Sequence, residues 1–178
     1  EMARDLLVHE PAFAESMTRC AAALQPLTGR DLIATLNGEE GEGWLQDVMQ
    51  VQSALWAMAV SLADVWRAHG VEPDVVIGHS QGEVAAATVA GILSVEDAAR
   101  VVVRSQLVQP LSGKGLMLAV DMTQEEAAEA LQGFEEGVSI AVNNGPRSCV
   151  LSGDTDMIMV LKEILELSGT YCSLVRVD

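Results

Sequence analysis

Positive charge is scarce in this chain: ten lysines and arginines stand against 26 aspartates and glutamates, giving a net charge of −16 at pH 7. Phosphate contacts need clustered cations, and the few present are scattered, so a nucleic-acid partner is excluded and the acidic surface is read as serving solubility. Cysteine is scarcer still. Cys20, Cys149 and Cys172 are odd in number, widely spaced and without a Cys-x-x-Cys pair, the pattern of free thiols in a reducing compartment, here the cytoplasm. His9, His69 and His79 are the three histidines, and they form no metal-ligand spacing with the cysteines or with one another. Long hydrophobic runs are missing as well. The longest uncharged apolar run, residues 54–63, is too short to cross a bilayer, and no charged-then-apolar leader opens the chain, so no membrane partner is expected. Repeats and low-complexity segments do not occur. What is abundant is hydrophobic side chain, 49% of 178 residues, enough for a substantial core in one domain or two small ones.

The most specific local pattern is Val75-Val76-Ile77-Gly78-His79-Ser80-Gln81-Gly82-Glu83, an apolar strand running into Gly-x-Ser-x-Gly and then an alanine-rich helix. This is the layout of a nucleophile elbow. The strand-to-helix turn is sharp, flanking side chains would clash in it, and the serine hydroxyl is left exposed. Ser80 would also sit at a helix start, where free backbone N–H groups and the positive dipole end favour an oxyanion. Gln81, the residue after the serine, is the expected backbone oxyanion donor. His79 directly precedes Ser80, and a sharp turn points adjacent side chains apart. It reads as a turn-stabilising, pocket-lining residue and not as the base, which needs hydrogen-bond reach. His69 sits at a helix end and His9 in an amphipathic N-terminal segment; neither is a credible base.

An amphipathic helix is expected over residues 11–24, then a polar, glycine-bearing connection over 28–43 that carries Asp31-Leu32-Ile33. The longest helix covers 53–69 and has apolar residues on nearly every face, so most of it should be buried, with Gly70 stopping it. A strand over 74–77 leads into the elbow and its helix, 81–90, and Ser94-x-x-Asp97 caps a further helix running to about residue 109. Beyond Gly113-Lys114-Gly115 the pattern changes to strand 116–122, helix 123–131, strands 138–144 and 148–152, helix 155–167 and strand 170–177. That βαββαβ order is the ferredoxin-like, split-βαβ arrangement. Its local signals agree: Thr123-x-x-Glu126 is a capping box, Asn144-Gly145-Pro146 a turn and Ser168-Gly169 a helix stop. Two subdomains are therefore expected, 1–114 and 115–178.

Several of these residues together carry a resemblance that covers the whole chain. They are Gly78-His79-Ser80-Gln81-Gly82-Glu83, Val51-Gln52-Ser53-Ala54-Leu55-Trp56, the helix ending Trp66-Arg67-Ala68-His69-Gly70-Val71-Glu72-Pro73, and Arg104 in Val103-Arg104-Ser105-Gln106. The set resembles the acyltransferase domain of a modular polyketide synthase. Asn144-Gly145-Pro146-Arg147-Ser148 with Leu151-Ser152-Gly153 resembles the small-subdomain signature of the same family. The resemblance implies an α/β fold: a partial α/β-hydrolase-like large subdomain with the ferredoxin-like βαββαβ small subdomain inserted in it, and an active site in the cleft between them. It implies that Ser80 attacks the thioester of an acyl-CoA and yields the acyl group to the phosphopantetheine thiol of an acyl carrier protein. By the same resemblance Arg104 binds the free carboxylate of a malonyl-type extender, a role for which the guanidinium fork is well matched, and Gln52 lies near Arg104 and helps hold it. No tightly bound cofactor and no metal are expected. The partners implied are malonyl- or methylmalonyl-CoA, an acyl carrier protein domain and neighbouring synthase domains.

On extender choice, His79-Ser80-Gln81-Gly82 resembles the methylmalonyl-selecting type, whereas Asp47-Val48-Met49-Gln50-Val51-Gln52 keeps the valine and final glutamine of that pattern but lacks its acidic third residue. One methyl in a pocket is worth only ~1–3 kcal/mol, so malonyl stays open beside methylmalonyl. Other readings also stay open: a standalone malonyl-CoA:acyl carrier protein transacylase of fatty-acid synthesis, a serine esterase or lipase sharing the elbow, and a non-catalytic scaffold domain. The chain opens at Glu1 and stops in a strand-like Val175-Arg176-Val177-Asp178, and both ends look cut. A piece of a longer polypeptide is therefore expected, with the family's Gly-Gln-Gly oxyanion segment before Glu1 and its catalytic histidine shortly after Asp178.

Overall fold

A computed structural model of the chain describes residues 2–39, 41, 43–104 and 113–175. These fall into two compact units, Glu1–Leu107 and Val108–Asp178. Each has its own core.

The first unit is helical: α1 (Met2–His9), α2 (Pro11–Thr28), α3 (Leu32–Asn37), a 3-10 turn (Gly43–Gln46), α4 (Val48–Ala68), α5 (Gly82–Val89) and α6 (Val95–Val102). Start signals explain the boundaries. Pro11 opens α2, Asp31 caps α3 by accepting from the N–H groups of Ile33 and Ala34, and Asp47 caps α4 by accepting from Met49 and Gln50. The polar connection expected over 28–43 therefore contains a helix, because Asp31 has the cap geometry that its sequence context had not revealed. α4 likewise begins five residues before the expected start, at the cap that Asp47 supplies.

Phe13, Met17, Cys20 and Leu24 of α2 pack with Trp56, Ala57 and Val60 of α4 and Ala98, Ala99 and Val102 of α6. A polar seam fastens the same helices: Ser16 donates to Asp64 at 2.8 Å, and Arg67 donates to Asp64 at 3.2 Å and to the Val89 carbonyl at 2.6 Å. α4 is 21 residues long and, by length and composition, apolar enough to cross a membrane. The run over 54–63 understated it because the helix continues through Gln50, Gln52 and Ser53 on one side and through Asp64 and Arg67 on the other. Its Ser53, Trp56, Val60 and Ser61 are buried in the core, which is the packing of a core helix. Not all of it is covered, however: Leu55, Leu62 and Trp66 are exposed, so α4 buries one face and not most of its circumference.

The strand expected over 74–77 does not form: Asp74 is a bend, and residues 75–77 have no regular secondary structure and no ladder partner among the described residues. Val75 and Ile77 are 78% and 91% exposed. An apolar run shows that a segment suits a sheet, but a strand exists only where a second strand completes its hydrogen bonds.

The second unit is a four-stranded antiparallel sheet with two helices: β1 (Gly115–Val120), α7 (Gln124–Ala130), β2 (Val138–Gly145), β3 (Ser148–Asp154), α8 (Thr155–Leu167) and β4 (Cys172–Val175). The strand order is β2-β3-β1-β4. β1 pairs with β3 in the register Leu118↔Leu151 and with β4 in the register Leu118↔Leu174, so the connection from β1 skips a strand as in a ferredoxin-like fold. Leu118, Val120, Leu131, Val138, Leu151, Ile158, Leu161 and Leu165 form the core between sheet and helices. The capping box at α7 is complete, Thr123 bonding the Glu126 N–H and the Glu126 carboxylate returning to the Thr123 N–H. Arg147 at the β2–β3 turn bonds Glu126 and Asp121; the Thr123 N–H first, and then Arg147, hold the Glu126 carboxyl below its ordinary value. α6 ends at Val102, with Val103 as its C-cap and residues 103–104 in a turn, so the helix does not run on as expected there; residues 105–109 of that expectation and the last residues of the closing strand lie outside the described residues. The fold is α/β.

Candidate active site

Ser80 is the one non-glycine described residue with positive φ, at 53°, a left-handed conformation that L residues rarely adopt. The turn that imposes it is tight. Gly82 N–H donates to the His79 carbonyl at 2.9 Å, Glu83 N–H to the Ser80 carbonyl at 3.0 Å and Val84 N–H to the Gln81 carbonyl at 3.2 Å, leading directly into α5. Gly78 is what permits the close approach, since a Cβ there would lie 2.3 Å from the Cα and N of Glu83. A Cβ on Gly82 meets nothing within 4 Å, so only the first flanking glycine is required by contact. The result is an exposed Ser80 beside an exposed His79.

The same turn sorts the backbone donors. With the N–H groups of Gly82, Glu83 and Val84 engaged, the Gln81 N–H, like that of Ser80, bonds no described residue. It is the group an oxyanion beside Ser80 would meet.

Arg104 follows the last turn of α6, and its Nη1 donates to Gln81 Oε1 at 2.9 Å and to the Val101 carbonyl at 3.1 Å. The structure thus brings Ser80, Gln81 and Arg104 together from the elbow and the end of α6. Gln52 is half-buried near the start of α4 and makes no hydrogen bond to Arg104; the glutamine that does is Gln81. No signal in the sequence joins Gln81 to Arg104, because they are 23 residues apart with α5 and α6 between them.

The remaining histidines lie elsewhere. His9 ends α1, and His69 is the C-cap of α4 with Nε2 3.9 Å from a Glu10 carboxylate oxygen. No hydrogen bond reaches Ser80 Oγ among the described residues. An apolar cleft of about 630 Å³ opens between α4, the segment before the elbow and α5, lined by Trp66, Val76, Ile77 and Val89 among others. Gly78, His79 and Gly82, on either side of Ser80 and Gln81, also line it, whereas Ser80, Gln81 and Arg104 do not. Cys20 offers no competing nucleophile: burial pushes its thiol up to about 12, and the thiolate is the reactive form. Among the described residues no three His, Cys, Asp or Glu side chains gather as a metal site would require.

The family described as the acyl transferase domain matches residues 1–178. Polyketide synthase GfsB of Streptomyces halstedii is 47% identical over 178 residues, which is 99% of this chain and 3% of that protein. The acyltransferase domain from module 8 of the salinomycin polyketide synthase superimposes with a TM-score of 0.89 at 42% identity, covering 99% of this chain and 42% of that one. The acyl transferase domain of SpnD, solved in complex with 2-(pent-4-yn-1-yl)malonyl, superimposes with a TM-score of 0.81 at 33% identity, covering 96% of this chain and 40% of that one. The chain therefore spans about two fifths of these two solved chains and 3% of the synthase. With the acyl transferase family matching its whole length, and a polyketide synthase 47% identical and a solved acyltransferase domain superimposing along 99% of it, this chain belongs to the acyltransferase-domain family of polyketide synthases.

Proposed function

We propose that the chain carries out transfer of a malonyl-type extender unit from coenzyme A to the phosphopantetheine thiol of an acyl carrier protein, with Ser80 as the acylated residue. In the first half-reaction Ser80 Oγ bonds to the thioester carbon, the C–S bond breaks and the coenzyme A thiol leaves; the Ser80 proton passes to a base. In the second, the carrier thiol attacks the ester, Ser80 Oγ departs and recovers a proton. The Gln81 N–H meets the oxyanion in both steps.

One observation carries the reading: the Arg104 guanidinium is hydrogen-bonded to the side chain of the residue next to Ser80. An esterase needs no cation there, whereas a diacid half-thioester presents a carboxylate that a guanidinium matches. The malonyl compound in the SpnD complex is of this chemical class. Glutamine after the nucleophile favours methylmalonyl over malonyl as the unit carried.

The reading is tested by incubating the full-length protein with methylmalonyl-CoA and locating the adduct by peptide mass spectrometry. One acyl mass is expected on the peptide containing Ser80, and none in Ser80→Ala; an adduct that persists in Ser80→Ala overturns the assignment. Arg104→Ala is expected to lower the malonyl-to-acetyl ratio of kcat/KM by about 10- to 100-fold, the worth of a charge-assisted hydrogen bond. An unchanged ratio removes Arg104 from carboxylate recognition.

A further inference from the structure

Arg104 reaches the elbow with one terminal nitrogen already committed. Nη1 donates to Gln81 Oε1 at 2.9 Å and to the Val101 carbonyl at 3.1 Å, which uses both of its hydrogens. Nε and Nη2 bond no described residue. Those two nitrogens form the side-on edge of the guanidinium, where parallel N–H groups match the two oxygens of a carboxylate. The same contact orients Gln81. A guanidinium has donors only, so it must face the amide oxygen and not the amide nitrogen, and Gln81 Nε2 is consequently turned inward, buried and without a partner. A half-satisfied buried amide is unfavourable by itself; the orientation answers the demand of Arg104.

We infer that Gln81 is a positioning residue for Arg104: its side-chain carbonyl, with that of Val101, clamps Nη1 and leaves the Nε–Nη2 edge to receive the free carboxylate of a diacid thioester. One residue then serves both ends of the substrate, its backbone N–H the thioester oxygen and its side chain, through Arg104, the carboxylate. The inference rests on the roles proposed above for Ser80 and Arg104.

The test compares kcat and KM for malonyl-CoA and acetyl-CoA in the full-length protein carrying Gln81→Met, Arg104→Ala or both. Gln81→Met keeps the backbone donor and the side-chain volume but removes the acceptor. It is expected to lower the malonyl-to-acetyl kcat/KM ratio about tenfold, with the loss in KM for malonyl-CoA and not in kcat, and to lower it no further when Arg104 is already alanine. Gln81→Glu keeps an acceptor but adds a charge that neutralises Arg104 and repels the substrate, so the ratio is expected to fall at least as far. Equal losses for both thioesters in Gln81→Met overturn the inference, as does a tenfold effect that survives Arg104→Ala, or an unchanged ratio in Gln81→Glu. If Arg104→Ala alone leaves the ratio intact, the underlying reading falls with it; if Arg104→Ala abolishes the preference while Gln81→Met preserves it, the inference alone is lost.

Discussion

At Gly78 a single methyl group would lie 2.3 Å from two backbone atoms of Glu83 and 2.4 Å from the Gly82 carbonyl carbon, and backbone cannot swing aside as a side-chain tip can. At Gly82 the same methyl meets open space. Gly78→Ala is therefore expected to destabilise by about 1–3 kcal/mol, the usual cost of overpacking, or a Tm loss of about 2–12 °C for a chain of this size. Gly82→Ala is expected to stay within about 2 °C, since alanine is the better helix former. Equal Tm losses in the two variants, read by thermal melting, would show that the elbow's geometry is not set by the Gly78 approach. Ser80 and Gly78 were legible in the sequence because the turn is local: glycine, serine and helix start follow one another directly, although the strand expected before them does not form. The Gln81–Arg104 contact was not, because it depends on where the end of α6 lies in space, and no periodicity encodes that.

Among elements, the two helices of the second unit were the most readable. α8 starts and ends where sequence signals put it, and α7 begins at the Thr123–Glu126 box. α4 was misjudged at its start because Asp47 caps across an irregular approach with no apolar rhythm before it. That cap carries a prediction. Burial acts to raise the Asp47 carboxyl, but hydrogen bonds from the Gln50 side chain and from the Gln50 and Met49 N–H groups outweigh it, so its pKa lies below the ordinary 3.8. A depressed carboxyl contributes stability that is fully present above its unfolded pKa and lost as pH falls through the folded one. Asp47→Ala is accordingly expected to cost about 1 kcal/mol at pH 7, with the Tm gap to the unsubstituted protein closing as pH drops below about 4. A gap that stays constant down to pH 2.5 would mean that the ionised carboxylate is not what caps α4. The strand over 74–77 shows the opposite limit: β-branched apolar residues mark a segment suited to a sheet, yet pairing is a property of two segments, and only one was in view.

Over the whole molecule, the two cores were visible as a change of pattern near Gly113, from helical stripes to the strand–helix alternation of the second unit. Charge is the property that belongs to the molecule as a whole. Acidic residues outnumber basic ones 26 to ten, so most carboxylates have no cation to pair with. The ion pairs that do form, such as Arg100–Asp97 and Arg147–Asp121, are largely exposed, and exposed pairs contribute about 0–1 kcal/mol each. Added salt weakens those few attractions and, at the same time, screens repulsion among the unpaired acids, whose range falls from about 30 Å at 0.01 M to about 8 Å at 0.15 M ionic strength. With a net charge of −16, repulsion dominates, and it acts against the compact state. The melting temperature at pH 7 is thus expected to rise when sodium chloride is increased from about 10 to about 150 mM. The rise should shrink as pH is lowered towards the sequence pI of 4.3, where the net charge vanishes. A melting temperature that falls with salt at pH 7 would mean that the ion pairs outweigh the repulsion, and that the arginines of this acidic surface stabilise it far more than their exposure implies.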